Sequence, residues 1–282
     1  MNSKDVTKSL TDIEINDIVI KVNGKLGELK KNNCIIRDEI FRILDKYCKV
    51  IYYPIENDEI CGFVYSFKGK KFAYINSYIP LEKQVFASAH ELYHIWYSDI
   101  EKGELLYTDI LDGNSHEKTI GNEDLKANRF AAELLVQEDV FRNEIKQMEV
   151  KNNFISKRNI VELMDIFLVS YKTIINRLLE LKYIDKKRYN ELIQEPDRCE
   201  EKGIILLQKR LGLCKRNNER TNEIKLDKLT DVSIKLYEKN QITYEKLEYL
   251  LGLSNTKPSD LGIYRKKINI IEESEIDKIM EE

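Results

Sequence analysis

The residues best equipped for chemistry in this chain are His90-Glu91-Leu92-Tyr93-His94. Histidines four apart on a helix lie about 40° apart around its axis, so both imidazoles can offer a nitrogen to one ion at about 2.0–2.1 Å. Glu91 stands beside such an ion without binding it. There its carboxylate can take a proton from an attacking water and hand it to the leaving amine, the division of labour for peptide hydrolysis assisted by one zinc per chain. The chain has 3 histidines, a composition at which the pattern arises by chance roughly a few times in a thousand. Catalytic zinc takes three protein ligands and keeps a position for water, so a third donor is required. Asp124, Glu123 and His116 are available. Asp124 is preferred, because Asn128 follows it four residues on along the same helical face and can hold a zinc-binding imidazole through its other nitrogen. Glu123 is the alternative, on the neighbouring face and one methylene longer; its plain role is an acidic residue in a first helical turn. His116 lies in a loop bounded by Gly113 and Gly121. Tyr97, Tyr107 and His116 are the available donors to an oxyanion.

The elements that must position these groups follow from periodicity. Residues 4–48 read as a helical lead-in, with Ile15, Ile18, Val19 and Val22, then Ile36, Ile40, Ile43 and Leu44, at three- and four-residue spacing. Three β-rich runs follow at 49–53, 61–67 and 71–78, the last two joined through Gly69 as an antiparallel hairpin. After Pro80 a helix starts, with Glu82 in its first turn and Val85, Ala89, Leu92 and Trp96 as its buried stripe. Residues 122–136 form a second helix, with Ala127, Phe130, Ala131, Leu134 and Leu135 facing inward. The strand at 71–77, with Phe72, Tyr74 and Asn76, is expected to be the edge that pairs with a substrate backbone; the competing reading is an interior strand. Helices at about 158–182 resemble a helix-turn-helix without its usual Gly. Lys172, Asn176 and Arg177 face DNA in one reading of them and pack into the domain in the other, which is preferred. The expected organisation is a catalytic domain over residues 1–195, a linker region over 196–223 and a helical unit over 224–282. In that unit the apolar stripes serve core packing or partner recognition.

Composition narrows the class. At 282 residues, with 42% hydrophobic and 34% charged residues, the chain can bury a sizeable core. A formal charge of −3 exerts no overall pull on nucleic acid or anionic lipid, so DNA binding would need a local basic patch. Cys34, Cys48, Cys61, Cys199 and Cys214 are odd in number and form no C-x-x-C pair, which argues against a disulfide framework or a cysteine zinc site. No signal-like segment or membrane-length apolar run is found, so a cytoplasmic location is expected. The rival functional class is a DNA-binding or partner-binding regulator whose metal site is structural or vestigial.

The stretch Phe72-Ala73-Tyr74-Ile75-Asn76, the histidine motif, and Asp124-Leu125-Lys126-Ala127-Asn128-Arg129-Phe130-Ala131-Ala132-Glu133-Leu134-Leu135 together resemble the ImmA/IrrE family of bacterial zinc metallopeptidases. The resemblance covers roughly residues 35–185. The family pattern places an acidic residue three before an Ala-Asn or Ala-Asp pair, which assigns the third-ligand role to Asp124, where the family usually has Glu. Tyr93 stands where Gly is common, and Gln137 where Pro is. The resemblance implies an α+β, zincin-like (gluzincin-like) catalytic domain with a small twisted sheet, an active-site helix and a helical C-terminal extension. It also implies a regulatory endopeptidase whose protein substrate is a helix-turn-helix repressor or antitoxin, often encoded beside it on phage or mobile elements.

Overall fold

This structure, a computed structural model, describes residues 9–98, 121–148, 150, 154–213 and 218–265, and the backbone of 105–107. The chain divides into two compact units, Met1–Lys225 and Leu226–Glu282. The first is α+β. It opens with α1 (Asp12–Leu29), started by a reciprocal cap in which the Thr11 hydroxyl accepts from the Glu14 N–H and the Glu14 carboxylate accepts from the Thr11 N–H. Helix α2 (Glu39–Tyr47) follows and leads directly into the sheet.

Strands β1 (Lys49–Tyr53), β2 (Gly62–Phe67) and β3 (Lys70–Asn76) form its centre. Lys68 and Gly69 both take positive φ, 51° and 75°, the geometry of a two-residue hairpin turn whose twist matches the strands it joins. β2 therefore pairs with β3 antiparallel, while β1 runs parallel to β3. With β4 (Leu105–Tyr107) and β5 (Lys225–Leu226), the strand order is β4-β2-β3-β1-β5. This corrects the expected substrate edge: β3 is interior, paired on both sides. Its residues are occupied as well. Asn76 accepts from the N–H groups of Ile55 and Tyr78 and donates to the carbonyls of Ile55, Asn57 and Ile60, which fixes the loop before β2, and the Tyr74 hydroxyl donates to the Tyr53 carbonyl.

Val50, Val64, Ala73 and Ile75 point from the sheet into the core, against α3 (Leu81–Tyr97). Pro80 caps α3, and all its residues from Leu81 to Ile95 except Phe86 are buried. Such a helix is central rather than amphipathic. Helix α4 (Asn122–Leu135) packs along it and touches α1 on its other side. Helices α5 (Glu138–Gln147), α6 (Lys157–Phe167), α7 (Tyr171–Glu180), α8 (Lys186–Leu192) and α9 (Ile204–Arg210) complete the first unit. Gln137, at the α4–α5 corner, accepts from the Asn33 N–H and donates to the carbonyls of Lys31 and Cys34, so the residue in the family's Pro position clamps the loop after α1. The second unit contains α10 (Leu229–Glu238) packed on α11 (Tyr244–Gly252), with a short 3-10 helix at Pro258–Leu261.

The helix pair α6–α7 turns through Leu168 in the left-handed region, φ 54°, where a Gly is usual. Arg177 is wholly buried: it grips both Glu133 oxygens at 2.8 Å, Glu180 at 2.7 Å and the Val136 carbonyl. It fastens α7 to α4 and is not presented to DNA. Among the described residues no helix is long and apolar enough to cross a membrane.

Candidate metal centre

Helix α3 brings His90 and His94 onto one face, and α4 lays Asp124 across from them. The two Nε2 atoms are 3.1 Å apart, and Asp124 Oδ1 lies 3.7 Å from that of His90 and 3.4 Å from that of His94. Four donors placed tetrahedrally at about 2.0–2.1 Å from a zinc ion are separated by about 3.4 Å. The three observed edges scatter around that value, so this donor set fits the ion the sequence implies.

The histidines are held from behind. Asn128 Oδ1 lies 2.9 Å from His90 Nδ1; an amide oxygen only accepts, so the imidazole proton is on Nδ1 and Nε2 keeps its lone pair for a metal. Ser98 Oγ lies 3.0 Å from His94 Nδ1 and holds the orientation of the second ring, although a hydroxyl, which donates as well as accepts, does not by itself fix the tautomer. Burial pushes the His90 imidazole below its usual range despite the raising contacts of Asp124 and Asn128. At Asp124 burial raises the carboxyl, but hydrogen bonding to His90 and His94 outweighs it and pushes the pKa down to about 2. Neutral imidazoles and an ionised carboxylate are the ligating forms.

Glu91 is fully buried beside the cluster, and β2 makes room for it at Gly62. A Cβ at Gly62 would stand 2.8 Å from the Tyr74 carbonyl oxygen and 3.0 Å from Glu91 Oε1, so a side chain there would displace strand or carboxylate. Glu123 faces elsewhere: it accepts from the Tyr93 hydroxyl at 3.3 Å and from Lys126 at 2.9 Å. The residue in the family's Gly position thus helps hold the competing acid off the cluster. Of the oxyanion donors, Tyr97 directs its hydroxyl to the Lys21 carbonyl on α1 at 3.3 Å. Tyr107 is on β4, paired with Phe63, and its side chain, like His116 as a whole, lies outside the described residues.

Two positioning residues escaped the sequence reading. Ser98 follows His94 by four, the same spacing that pointed from Asp124 to Asn128. Gly62 interrupts a β-rich run, a pattern that marks a close approach.

Residues 45–179 match the peptidase family described as the IrrE N-terminal-like domain. The matched segment is just under half of the chain. It contains β1 to β4, α3 to α6 and nearly all of α7, with every residue of the cluster and its supports. No curated protein matches the chain. Among solved structures, a Mycobacterium tuberculosis transcriptional regulator is similar at 16% identity and a TM-score of 0.37, with 57% of this chain and 46% of that chain covered.

Proposed function

We propose that this chain is a zinc-dependent endopeptidase that hydrolyses a peptide bond in a regulatory protein of the helix-turn-helix repressor or antitoxin class. The observation that carries the reading is the convergence of His90, His94 and Asp124, whose donor atoms lie within 4.8 Å of one another, next to the buried Glu91 in a peptidase-family domain. Those three residues would hold the ion. Zinc, when bound, acts as a Lewis acid toward the scissile carbonyl and lowers the pKa of water at the site. Glu91 takes the proton of the attacking water and delivers it to the amine that leaves, while Asn128 keeps the His90 imidazole in the ligating tautomer and Ser98 orients that of His94. β4, the terminal strand of the sheet beside β2, replaces β3 as the strand suited to pair with a substrate backbone. The substrate class rests on the family resemblance.

The test is Glu91→Gln in the full chain. Glutamine keeps size and hydrogen bonding but accepts no proton, and general acid–base help contributes about 10²–10⁴-fold in rate. Both forms would be co-expressed with helix-turn-helix proteins encoded nearby, with fragments read by mass spectrometry and zinc measured on each purified protein. Cleavage by the wild type alone at equal zinc content is expected. Equal cleavage by the two forms would sink the mechanism.

A further inference from the structure

The sheet has a second side. Along β1, β2 and β3 the residues that face α3 are mostly aliphatic or small, Val50, Val64, Ala73 and Ile75. Their neighbours in the strands alternate to the opposite side, and there the side chains are nearly all aromatic. Phe63, Tyr65, Phe67, Phe72 and Tyr74, with Ile51, line one depression of about 240 Å³. Phe67 is 48% exposed and Tyr53, on the same side at the end of β1, 43% exposed, while Ile51, Phe63, Tyr65 and Phe72 are half-buried. The same strands thus place aliphatic groups where a helix covers them and rings where the face stays open. A contiguous apolar face left open to solvent marks an interaction site.

Charge and ring type describe the occupant. Directly paired residues share a side of the sheet, and the register sets Lys70 opposite Phe67 and Lys49 opposite Phe72, so both lysines belong to the aromatic side. Lys68, exposed in the hairpin turn, lies over the Phe67 ring at 5.1 Å. Lys71 alternates to the other side and donates to the Ile95 carbonyl. From Cys61 to Pro80 the chain has no Asp or Glu. The acids Glu56, Asp58 and Glu59 are in the loop before β2, at the opposite end of the strands from the hairpin. A chain with a formal charge of −3 attracts a polyanion only through such a local basic patch. Aliphatic surface edged by lysine would suit an acidic amphipathic helix; rings offer π-faces on which bases stack, with lysines for the phosphates. The strands stand about 4.8 Å apart, which gives this platform room for about two or three bases. It offers little to a ribose 2′-hydroxyl, the group by which proteins tell RNA from DNA: Ile51, Phe63, Phe67 and Phe72 have no polar side-chain atom, and the Tyr74 hydroxyl is donated to the Tyr53 carbonyl. We propose that this face of the sheet binds single-stranded DNA, with bases stacked on Tyr65, Phe67 and Phe72 and phosphates held by Lys68 and Lys70. It is the side turned away from α3, so the site stands or falls independently of the metal.

The experiment is fluorescence anisotropy of labelled oligothymidylate, about eight nucleotides long, titrated with the full chain at several salt concentrations. Saturable binding at one site is expected. Tyr65→Thr and Phe67→Thr remove a ring and keep a β-branched residue suited to a strand; each should weaken binding by about fivefold or more. Lys68→Asn/Lys70→Gln puts Asn at the positive-φ turn position, which it tolerates. This variant should flatten the slope of log affinity against log salt by about 1.4, because each phosphate contact on a single strand contributes roughly 0.7. Both lysines are exposed, so the slope decides the matter even where a ring variant fails to fold by circular dichroism. A hairpin duplex and polyglutamate should each bind about tenfold more weakly or worse, and oligouridylate of the same length no more tightly than oligothymidylate. No saturable binding, unchanged affinity in folded ring variants, or an unaltered salt slope in the lysine variant would overturn the platform. Polyglutamate bound as tightly as the oligonucleotide would overturn it too, in favour of an acidic protein segment. Tighter binding of oligouridylate would overturn the assignment to DNA.

Discussion

His90 illustrates how a candidate ligand is prepared by what stands behind it. Asn128 accepts from Nδ1 and so leaves Nε2 bare toward Asp124, and loss of such a support typically costs about 10–100-fold in metal affinity. Asn128→Ala should fall in that range and Asp124→Ala should lose more, whereas Glu123→Ala, whose carboxylate is engaged by Tyr93 and Lys126, should change affinity by no more than about threefold. Chelator competition measures all three, and a larger loss in Glu123→Ala than in Asp124→Ala would move the ligand by one residue. The two histidines and the acid four before Asn128 were legible in sequence because a helix converts spacing into direction. Ser98 lies just past the end of α3, where that conversion stops, and Gly62 matters for the atom it lacks. Glu82 makes a different residue-scale prediction. Its folded pKa, about 7, lies above the model-peptide value of 4.5, so the folded state holds the extra proton between those values. Its contribution is fully present below about pH 4.5 and is lost as pH rises through about 7, a change on the order of 3 kcal/mol. Thermal melts of Glu82→Gln should therefore show a flatter dependence on pH than wild type across that window. Parallel curves would show that another group sets the slope.

Elements were legible where a period repeats and illegible where pairing decides. The helical period of α3 and the inward face of α4 follow from residues three and four apart, and the β2–β3 hairpin from Gly69, but α3 is buried nearly all round, not along the expected stripe, whose Trp96 is only half-buried. Nothing in the alternation of β3 tells an interior strand from an edge, because hydrogen-bond partners on either side leave no mark on side-chain type. β4 is three residues long, too short for a period. The helix pair α6–α7 shows the same limit: an Arg in a second helix reads equally as a DNA contact or a buried clamp, and only the Glu133 and Glu180 carboxylates decide between them. That clamp has a measurable cost of removal. Arg177 is 0% exposed, so Arg177→Ala strips Glu133, on the α4 helix that carries Asp124, of its two-pronged partner and leaves it to Arg129 alone. Breaking one side of a buried pair destabilises by about 3–5 kcal/mol. Urea unfolding should show a loss of that order. A loss below about 1 kcal/mol, the level of a surface pair, would mean that the network contributes nothing beyond solvent-exposed charges.

At the scale of the whole molecule, the second unit begins at Leu226, just past the region 196–223 expected as a linker. Residues 219–223 are fastened along the turn that launches α3. The Leu81 N–H donates to the Glu219 carbonyl at 2.8 Å, the Asn222 N–H to Ser77 at 3.0 Å, the Ser77 hydroxyl to Glu223 at 2.7 Å and the Thr221 hydroxyl to Gln84 at 3.2 Å. Arg220 adds bonds to Asp58 and the Tyr78 carbonyl and stacks on the Tyr78 ring. A polar, charged run looks like solvated chain because its partners are mostly backbone groups, which composition cannot register. The Leu81 N–H is among the first donors of the helix that carries His90 and His94, which lack partners inside the helix, and Glu219 supplies one from far along the chain. Two truncations separate this strap from the second unit. A chain ending at Lys225 keeps the strap and should retain the wild-type zinc affinity and nearly the wild-type melting temperature of the first unit. A chain ending at Leu213 loses it; these six hydrogen-bonded pairs at roughly 0.5–1 kcal/mol each, with about 2–4 °C per kcal/mol at this size, place its melting point about 6–24 °C lower. Zinc affinity should fall with it as the start of α3 loosens. Equal melting of the two truncations would show that the strap merely lies on the surface, and a collapse of both would show that the first unit needs residues beyond Lys225 to hold its fold.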